Sequence, residues 1–449
     1  MQTQKDHVHA YQFLMQRMTT ALVIGDPSSA EHPLGRGRSG LITGAVVALL
    51  IAIGFGVYGL IVPGGNTAWQ RKGAILVEKE SGSRYVYLDG KLLPTPNQAS
   101  AMLLQGPGST VSVISRKSLA GLPRGPQAGI TGAPDTVPRP NELMTGGWLL
   151  CPVRAADGAP VMSVNMDEGA SKLDLTADFY APVQSRDGKM FLIWEGKKYQ
   201  VPSSRSLVAL GLTAARTPFA PDVWLNLVPD GPALTPAQIA GAGEPAREVA
   251  GRSRRIGDLF YHYPGNGTQQ RYVMTGKGLS PLSATEYTLL KAEPGAAVTE
   301  IDAQSVLAAP FSSDQSLLRR LPDLVTSQPV PPEQGRVCLE QRGSGAEVET
   351  TVVAAPGADG WPPVTEEGAM LPPNRGVLVA EIPVLEGQKD PKKYLINDRG
   401  RRFLIPDDDS MRALGLGDVR PIPMRTEVLS TIPAGPALSR AAVVVEQGG

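Results

Sequence analysis

The pattern of apolar and polar positions divides this chain into three parts. From Gly40 to Val62, GLITGAVVALLIAIGFGVYGLIV, no charged side chain occurs. A bilayer core takes about 20 apolar residues of helix, so this stretch is long enough to cross with some tilt. A signal-peptide core is shorter, about 7–15 residues, and lies nearer the terminus. A core helix of a soluble protein rarely lacks a polar face. The pattern therefore predicts a transmembrane helix over 40–62, a short tail over 1–39 and a large body behind the span.

The tail carries a period of its own. Over 9–23, Tyr11, Leu14, Met15, Met18 and Leu22 recur at helical spacing and form one apolar stripe. Gly25 and Asp26-Pro27 stop the helix, and 28–39 is a Gly/Pro/Ser-rich linker. So short a tail has no core to bury the stripe against. The stripe is expected to pack on a partner or to lie on the membrane surface. His7 and His9 read as incidental residues of the terminus, not as ligands.

The body alternates short apolar runs with turn residues, and it repeats. Gly196–Leu234 aligns with Gly400–Leu438 without a gap, and 14 of 39 positions are identical, a density that marks an internal repeat. Met190–Trp194 and Tyr199–Val201 read as a hairpin through Gly196, as do Tyr394–Ile396 and Phe403–Ile405 through Gly400. Ser203 or Asp407 can cap a short helix that ends at Gly211 or Gly415. The unit closes on Pro-x-Gly-Pro. A fainter unit holds Tyr85–Leu88, Asp89-Gly90 and Pro123-Arg124-Gly125-Pro126. A degenerate one holds Tyr272–Met274, Gly276-Lys277 and Pro281. Between them, Gly147–Val153, Val161–Val164, Val337–Leu339, Glu349–Ala355 and Gly376–Ile382 read as buried strands of one central domain.

The expected fold is a single-pass membrane protein. Its α+β extracytoplasmic body has a central, mostly β domain and four small β-β-α repeat modules. The expected divisions are repeat 1 over 63–127, the first central part over 128–184 and repeat 2 over 185–238. A central linker over 239–257 and repeat 3 over 258–310 follow. The second central part spans 311–387, and repeat 4 with the C-terminal tail spans 388–449.

Composition changes this picture in three places. With 50 Gly and 41 Pro among 449 residues, turns are frequent, but below the share typical of disorder. Formal net charge is zero, which argues against a nucleic-acid or polybasic lipid partner. The two cysteines, Cys151 and Cys338, both lie in the body. A pair in an exported domain reads as a disulfide, two buried thiols being the alternative. Closing so long a loop contributes about 4–5 kcal/mol in the chain-entropy model. Arg36 and Arg38 on one side of the span and Arg71 and Lys72 on the other give little bias. Orientation therefore rests on the cysteines, with the tail inside and the body outside.

Candidate chemistry is sparse. Gly90-Lys91, Gly188-Lys189, Gly196-Lys197 and Gly276-Lys277 are not followed by Ser or Thr, and none completes a phosphate-binding Walker motif. Turn chemistry explains them better. His262 is the single body histidine, which leaves metal clusters and Ser/His/Asp triads without material. Asp407-Asp408-Asp409 reads as an acidic helix start, because the aligned residues are Ser203-Ser204-Arg205. Trp148, Trp194, Trp224 and Trp361 read as core residues, with contact to wall polysaccharide as the other possibility. No catalytic or metal residue is assigned.

The N-terminal pattern is specific. Tyr11-x-Phe13-Leu14-x-x-Arg17-Met18-x-x-Ala21-Leu22-Val23-x-Gly25-Asp26, then Pro33-Leu34 and Arg38-Ser39 before one span, closely resembles EccB. That family is the membrane component of the type VII (ESX) secretion machinery of actinobacteria. The resemblance covers tail, span, repeats and both cysteines. It implies a plasma-membrane complex with EccC (an FtsK/SpoIIIE-type motor ATPase), EccD, EccE, a mycosin protease and other EccB copies. It implies a cytosolic tail that docks on partner subunits through Tyr11, Phe13, Leu14, Arg17, Met18 and Leu22. It also implies an exported body with a disulfide. Some members carry an ATPase label, so ATP is a cofactor by label alone, and no nucleotide-binding residue can be named here. The leading expectation is a structural scaffold of the secretion complex. An ATPase subunit and a cell-wall-binding module are the alternatives.

Overall fold

The computed structural model describes residues 4–25, 35–61, 67–155, 157–212, 217–265, 267–331, 334–356, 368–384 and 386–445. The tail forms a helix, Gln4–Ile24, longer than the expected 9–23. The apolar helix runs Gly35–Ile61 and so begins five residues before the expected 40–62; Val62 lies outside the described residues. Most of the expected linker, the Asp26-Pro27 stop, Pro33-Leu34, Arg216 and Trp361 also lie outside them.

The body is mixed α and β. Its middle is a six-stranded sheet that runs, in spatial order, Ala369–Met370, Pro160–Asn165, Trp148–Arg154, Arg336–Ser344, Glu347–Ala355 and Leu173–Asp174. Four of the strands expected in the central domain meet there. The fifth, Gly376–Ile382, does not. It pairs with Lys393–Asn397 and, in parallel, with Ile422–Arg425.

That correction applies throughout. Around the central sheet lie four four-stranded sheets of one plan: third, second, first and then fourth strand across the sheet. The first three strands form an antiparallel meander, and the fourth returns parallel to the first. The first strands are Ala74–Glu78, Phe179–Gln184, Leu259–His262 and Gly376–Ile382. The expected hairpin-plus-helix units therefore lacked an opening strand and a closing strand. The bounds 128–184 and 311–387 cut through two of these sheets. The second sheet takes its closing strand, Gln328–Pro329, from beyond the whole third sheet, so the third is inserted into the second. The expected central linker 239–257 holds a hairpin, Pro245–Val249 with Arg252–Arg255, outside the central sheet. Val249 packs with Phe260, Tyr272 and Met274 of the third sheet.

Local chemistry accounts for the plan. Asp89-Gly90 and Glu195-Gly196 turn their hairpins with φ positive at both residues (49° and 77°, 44° and 73°), the twist that two-residue hairpins need. Asn97, Ser203, Ser283 and Asp407 each cap the following helix by accepting the N–H three residues on. Gly211 and Gly415 follow the helix ends at φ 70° and 72°. Leu212 N–H then reaches Leu207 C=O, and Leu416 N–H reaches Met411 C=O, which closes a Schellman motif.

The sheets pack in pairs. The first and fourth share a core of Ile75, Val86 and Leu103 with Leu395, Phe403 and Leu438. The second and third share one of Leu192, Tyr199 and Leu234 with Leu289 and Leu321. Fully buried Glu286 pins that second junction, accepting hydrogen bonds from the Arg320 guanidinium and from Ala237 N–H. The largest core joins the central sheet (Trp148, Leu150, Leu339) to the second sheet (Ile193) and the fourth (Val379, Ile396).

Candidate functional site

The tail helix presents its stripe to solvent. Tyr11, Leu14, Met15, Met18 and Leu22 are all exposed, Leu22 at 84%. At roughly 100° per residue they fall within about one third of the helix circumference. Val8 joins them from the preceding turn and is also exposed. The sequence reading missed it, although its spacing of three from Tyr11 was the available signal. Phe13 and Arg17 do not share the stripe. They lie nearer the opposite side, where the Arg17 guanidinium sits 5.4 Å from the Phe13 ring. The six residues named for docking therefore form two patches: an apolar face of four, and a cation–π pair.

The second helix carries no charged side chain after Arg38. Its window Gly37–Gly59 meets the length and hydropathy of a membrane span, and none of that window is buried against the rest of the chain. A 27-residue helix is about 40 Å long, against a hydrocarbon core of about 30 Å.

The third feature is the bridged sheet. Cys151 and Cys338 form a disulfide with Cα atoms 4.4 Å apart, across a sequence separation of 187. They sit on adjacent antiparallel strands, one step along the register that pairs Leu150 with Leu339. The bond thus fastens two neighbours of one sheet, under a small core of Leu149, Val353 and Ala355. On the sheet's other face, Trp148 Nε1–H donates to Gln341 Oε1 at 3.2 Å, and Gln341 Nε2–H donates to Thr350 Oγ1 at 3.2 Å. Trp148 and Trp224 are core residues, and Trp224 Nε1–H donates to Leu150 C=O at 2.9 Å. Trp194 is half-buried, its Nε1–H on Ala177 C=O.

Charged groups in the body serve turns, helix caps and contacts between elements. Asp187 is pulled down to about 2 by its hydrogen bond to Lys189, with Ser185 adding to it, inside a hairpin turn. Glu78 is lowered chiefly by Arg116, Asp408 by Lys393 and Asp409 by Arg440. These lie on separate elements and do not converge on one cleft. Asp407 to Asp409 open a helix whose cap is Asp407. Among the described residues no three His, Cys, Asp or Glu gather as a metal site. Gly90, Gly188, Gly196 and Gly276 stand in hairpin turns. The arrangement offers exposed apolar faces on two helices, a feature that suits binding.

A family model described as type VII secretion system ESX-1, transport TM domain B (EccB) matches residues 1–449. Over 489 residues the chain is 26% identical to the ESX-3 secretion system ATPase EccB3 of Mycolicibacterium smegmatis, covering 98% of this chain and 90% of that protein. It is 25% identical over 480 residues to the ESX-1 secretion system ATPase EccB1 of Mycobacterium tuberculosis, covering 99% and 95%. Among solved structures, a chain of an intact ESX-5 inner membrane complex superposes with TM-score 0.59 at 22% identity, covering 99% and 95%. At that identity the likeness is one of fold. A chain of the EccB3 dimer from the ESX-3 core complex superposes with TM-score 0.56 at 26% identity, covering 82% and 99%.

Proposed function

This chain belongs to the type VII secretion EccB family over residues 1–449, and from that premise we propose that it is a structural scaffold of an ESX inner-membrane complex. The observation that carries the reading is the pairing of an unburied apolar span with an exposed apolar stripe on the short helix before it. Neither surface has a core within the described chain, and an apolar patch left in water marks an interaction site. The span holds the protein in the membrane. The stripe of Tyr11, Leu14, Met18 and Leu22 docks on a partner subunit, with EccC, EccD and EccE as the cytosolic-side candidates. The body meets other copies of this chain and a mycosin protease. The tail lies in the cytosol and the body outside, a placement supported by the Cys151–Cys338 disulfide, which belongs to an oxidising compartment.

The test is co-purification of the complex through a tagged chain carrying Tyr11→Asp, Leu14→Asp and Met18→Asp. The expected result is loss of the other subunits while the chain stays in the membrane and the body keeps its melting transition. Recovery of the subunits at the wild-type level would contradict it. The relatives' names carry ATPase, which makes nucleotide hydrolysis the second reading. It requires saturable ATP binding by the purified chain, free of motor subunit.

A further inference from the structure

Thr110–Ile114 closes the first small sheet, lying parallel to Ala74–Glu78 at the outermost position. Thr110 N–H donates to Gly73 C=O and Lys79 N–H donates to Ile114 C=O, both at 2.9 Å. In a parallel ladder alternate residues face the partner strand, so Thr110, Ser112 and Ile114 spend their backbone groups inward. The N–H and C=O of Val111 and Val113 point out of the sheet. Their side chains are 54% and 60% exposed. Val111 stands opposite Ile75, on the face that packs against the helix Gln98–Gln105. Among the described residues the edge is thus open in its hydrogen bonding and apolar on one side, a combination that invites another strand.

The other edges are closed, charged or short. The third strands are covered by bridges from Leu92 to Arg124, Lys198 to Asp230, Leu279 to Phe311 and Arg402 to Ala434. Val298–Glu300 carries an acid, and the outer side of Glu347–Ala355 carries Glu347 and Glu349. Ile422–Arg425 ends on a cation and packs on the central sheet through Pro423 against Gly343. Gln328–Pro329 is two residues long.

We propose that Thr110–Ile114 is a strand-pairing interface for a second copy of this chain. The occupant follows from the sequence of the edge. Val-Ser-Val is its own complement in an antiparallel register, because a two-fold axis at Ser112 sets Val111 against Val113 of the other copy and Ser112 against Ser112. In that register Val111 and Val113 form the hydrogen-bonded pairs, so the outward groups of both residues are satisfied. Ser112 forms the closer, non-hydrogen-bonded pair. The uncharged edge brings no like-charge repulsion, which self-pairing of Glu347–Ala355 would. The two sheets become one continuous sheet, with the four valines grouped between the two Gln98–Gln105 helices. This deepens the scaffold reading and rests on it, since it supplies the contact by which copies meet.

The test uses the full chain in detergent with Ser112→Cys, the native cysteines being occupied by each other. Facing residues in a non-hydrogen-bonded pair have Cα atoms about 4.5 Å apart, within disulfide range. Mild oxidation is expected to give a reducible covalent dimer, whereas Thr110→Cys, whose two copies lie several residues apart in this register, is not. Val111→Lys with Val113→Lys is expected to weaken self-association at least tenfold in sedimentation, with an unchanged melting transition. No cross-link with Ser112→Cys beyond the Thr110→Cys level, or self-association within twofold of wild type in the lysine variant, overturns the proposal. Subunit co-purification by the wild-type chain is scored in the same preparations. If it persists, the failure belongs to this edge alone; if it is absent, the scaffold reading fails instead.

Discussion

Gln341 shows how one polar residue orders the central core. It is fully buried, and its amide both receives the Trp148 indole N–H and donates to Thr350. Gln341→Leu fills similar space but leaves the indole N–H without a partner, which costs about 1–3 kcal/mol. Denaturant unfolding should show that loss, and unchanged stability would mean that water or rearrangement replaces the bond. The closing motif has a residue-level cause as well. A Cβ at Gly231 would sit 2.3 Å from the Tyr199 ring, and one at Gly435 would sit 2.2 Å from the Phe403 ring. The glycine lets the closing segment lie flat on an aromatic of the third strand. Gly231 and Gly435 each donate N–H to that strand, to Lys198 and Arg402. Gly435→Ala should destabilise by about 1–3 kcal/mol through overpacking, measured by thermal or denaturant melting; a neutral result would show that Phe403 can step aside.

At the scale of elements, legibility followed locality. The hairpins, the caps at Ser203 and Asp407 and the glycine stops at Gly211 and Gly415 were readable, because each depends on residues a few positions apart. The strands that complete each small sheet were not. Gly376–Ile382 is apolar along almost its whole length, as a strand buried on both faces is, and so reads like a central strand. Its parallel partner, Ile422–Arg425, lies some forty residues on, and no local pattern announces a parallel pairing. The insertion of the third sheet into the second was hidden for the same reason. The junction of the first and fourth sheets was also invisible. There Arg440, at the start of the last helix, donates to Leu103 C=O at 3.2 Å and to Asp409 at 2.8 Å. Arg440 holds the Asp409 carboxyl below its ordinary 3.8. A lowered carboxyl contributes stability that is present above its ordinary value and is lost as pH falls through the lowered one. Arg440→Ala should therefore lower the melting temperature at neutral pH and make its fall between pH 5 and about pH 3 shallower than in wild type. An equal drop at every pH would show that the arginine acts through packing alone.

For the whole molecule, the sequence conveyed the plan of tail, span and body, because a long uncharged helix and a short apolar stripe are among the plainest patterns a chain can carry. It placed both cysteines in the body, and they meet on neighbouring strands of the middle sheet. It grouped Phe13 and Arg17 with the docking stripe, where the helix sets them nearer its other side, because motif spacing says which residues recur and not which way they face. It did not single out Val111 and Val113, since an edge strand reads like any other until its neighbours are known. The architecture fits a scaffold: one apolar helix of membrane-spanning length, an exposed helix before it and a large, bridged body whose charged groups serve its own turns, helix caps and sheet junctions. Protease treatment of intact cells, followed by immunoblotting for a tag at each end of the chain, tests that arrangement most directly. The body should be cut from outside while the residues before the span stay protected. A body that resists until the cells are lysed, beside a lysed control that is cut, would contradict it.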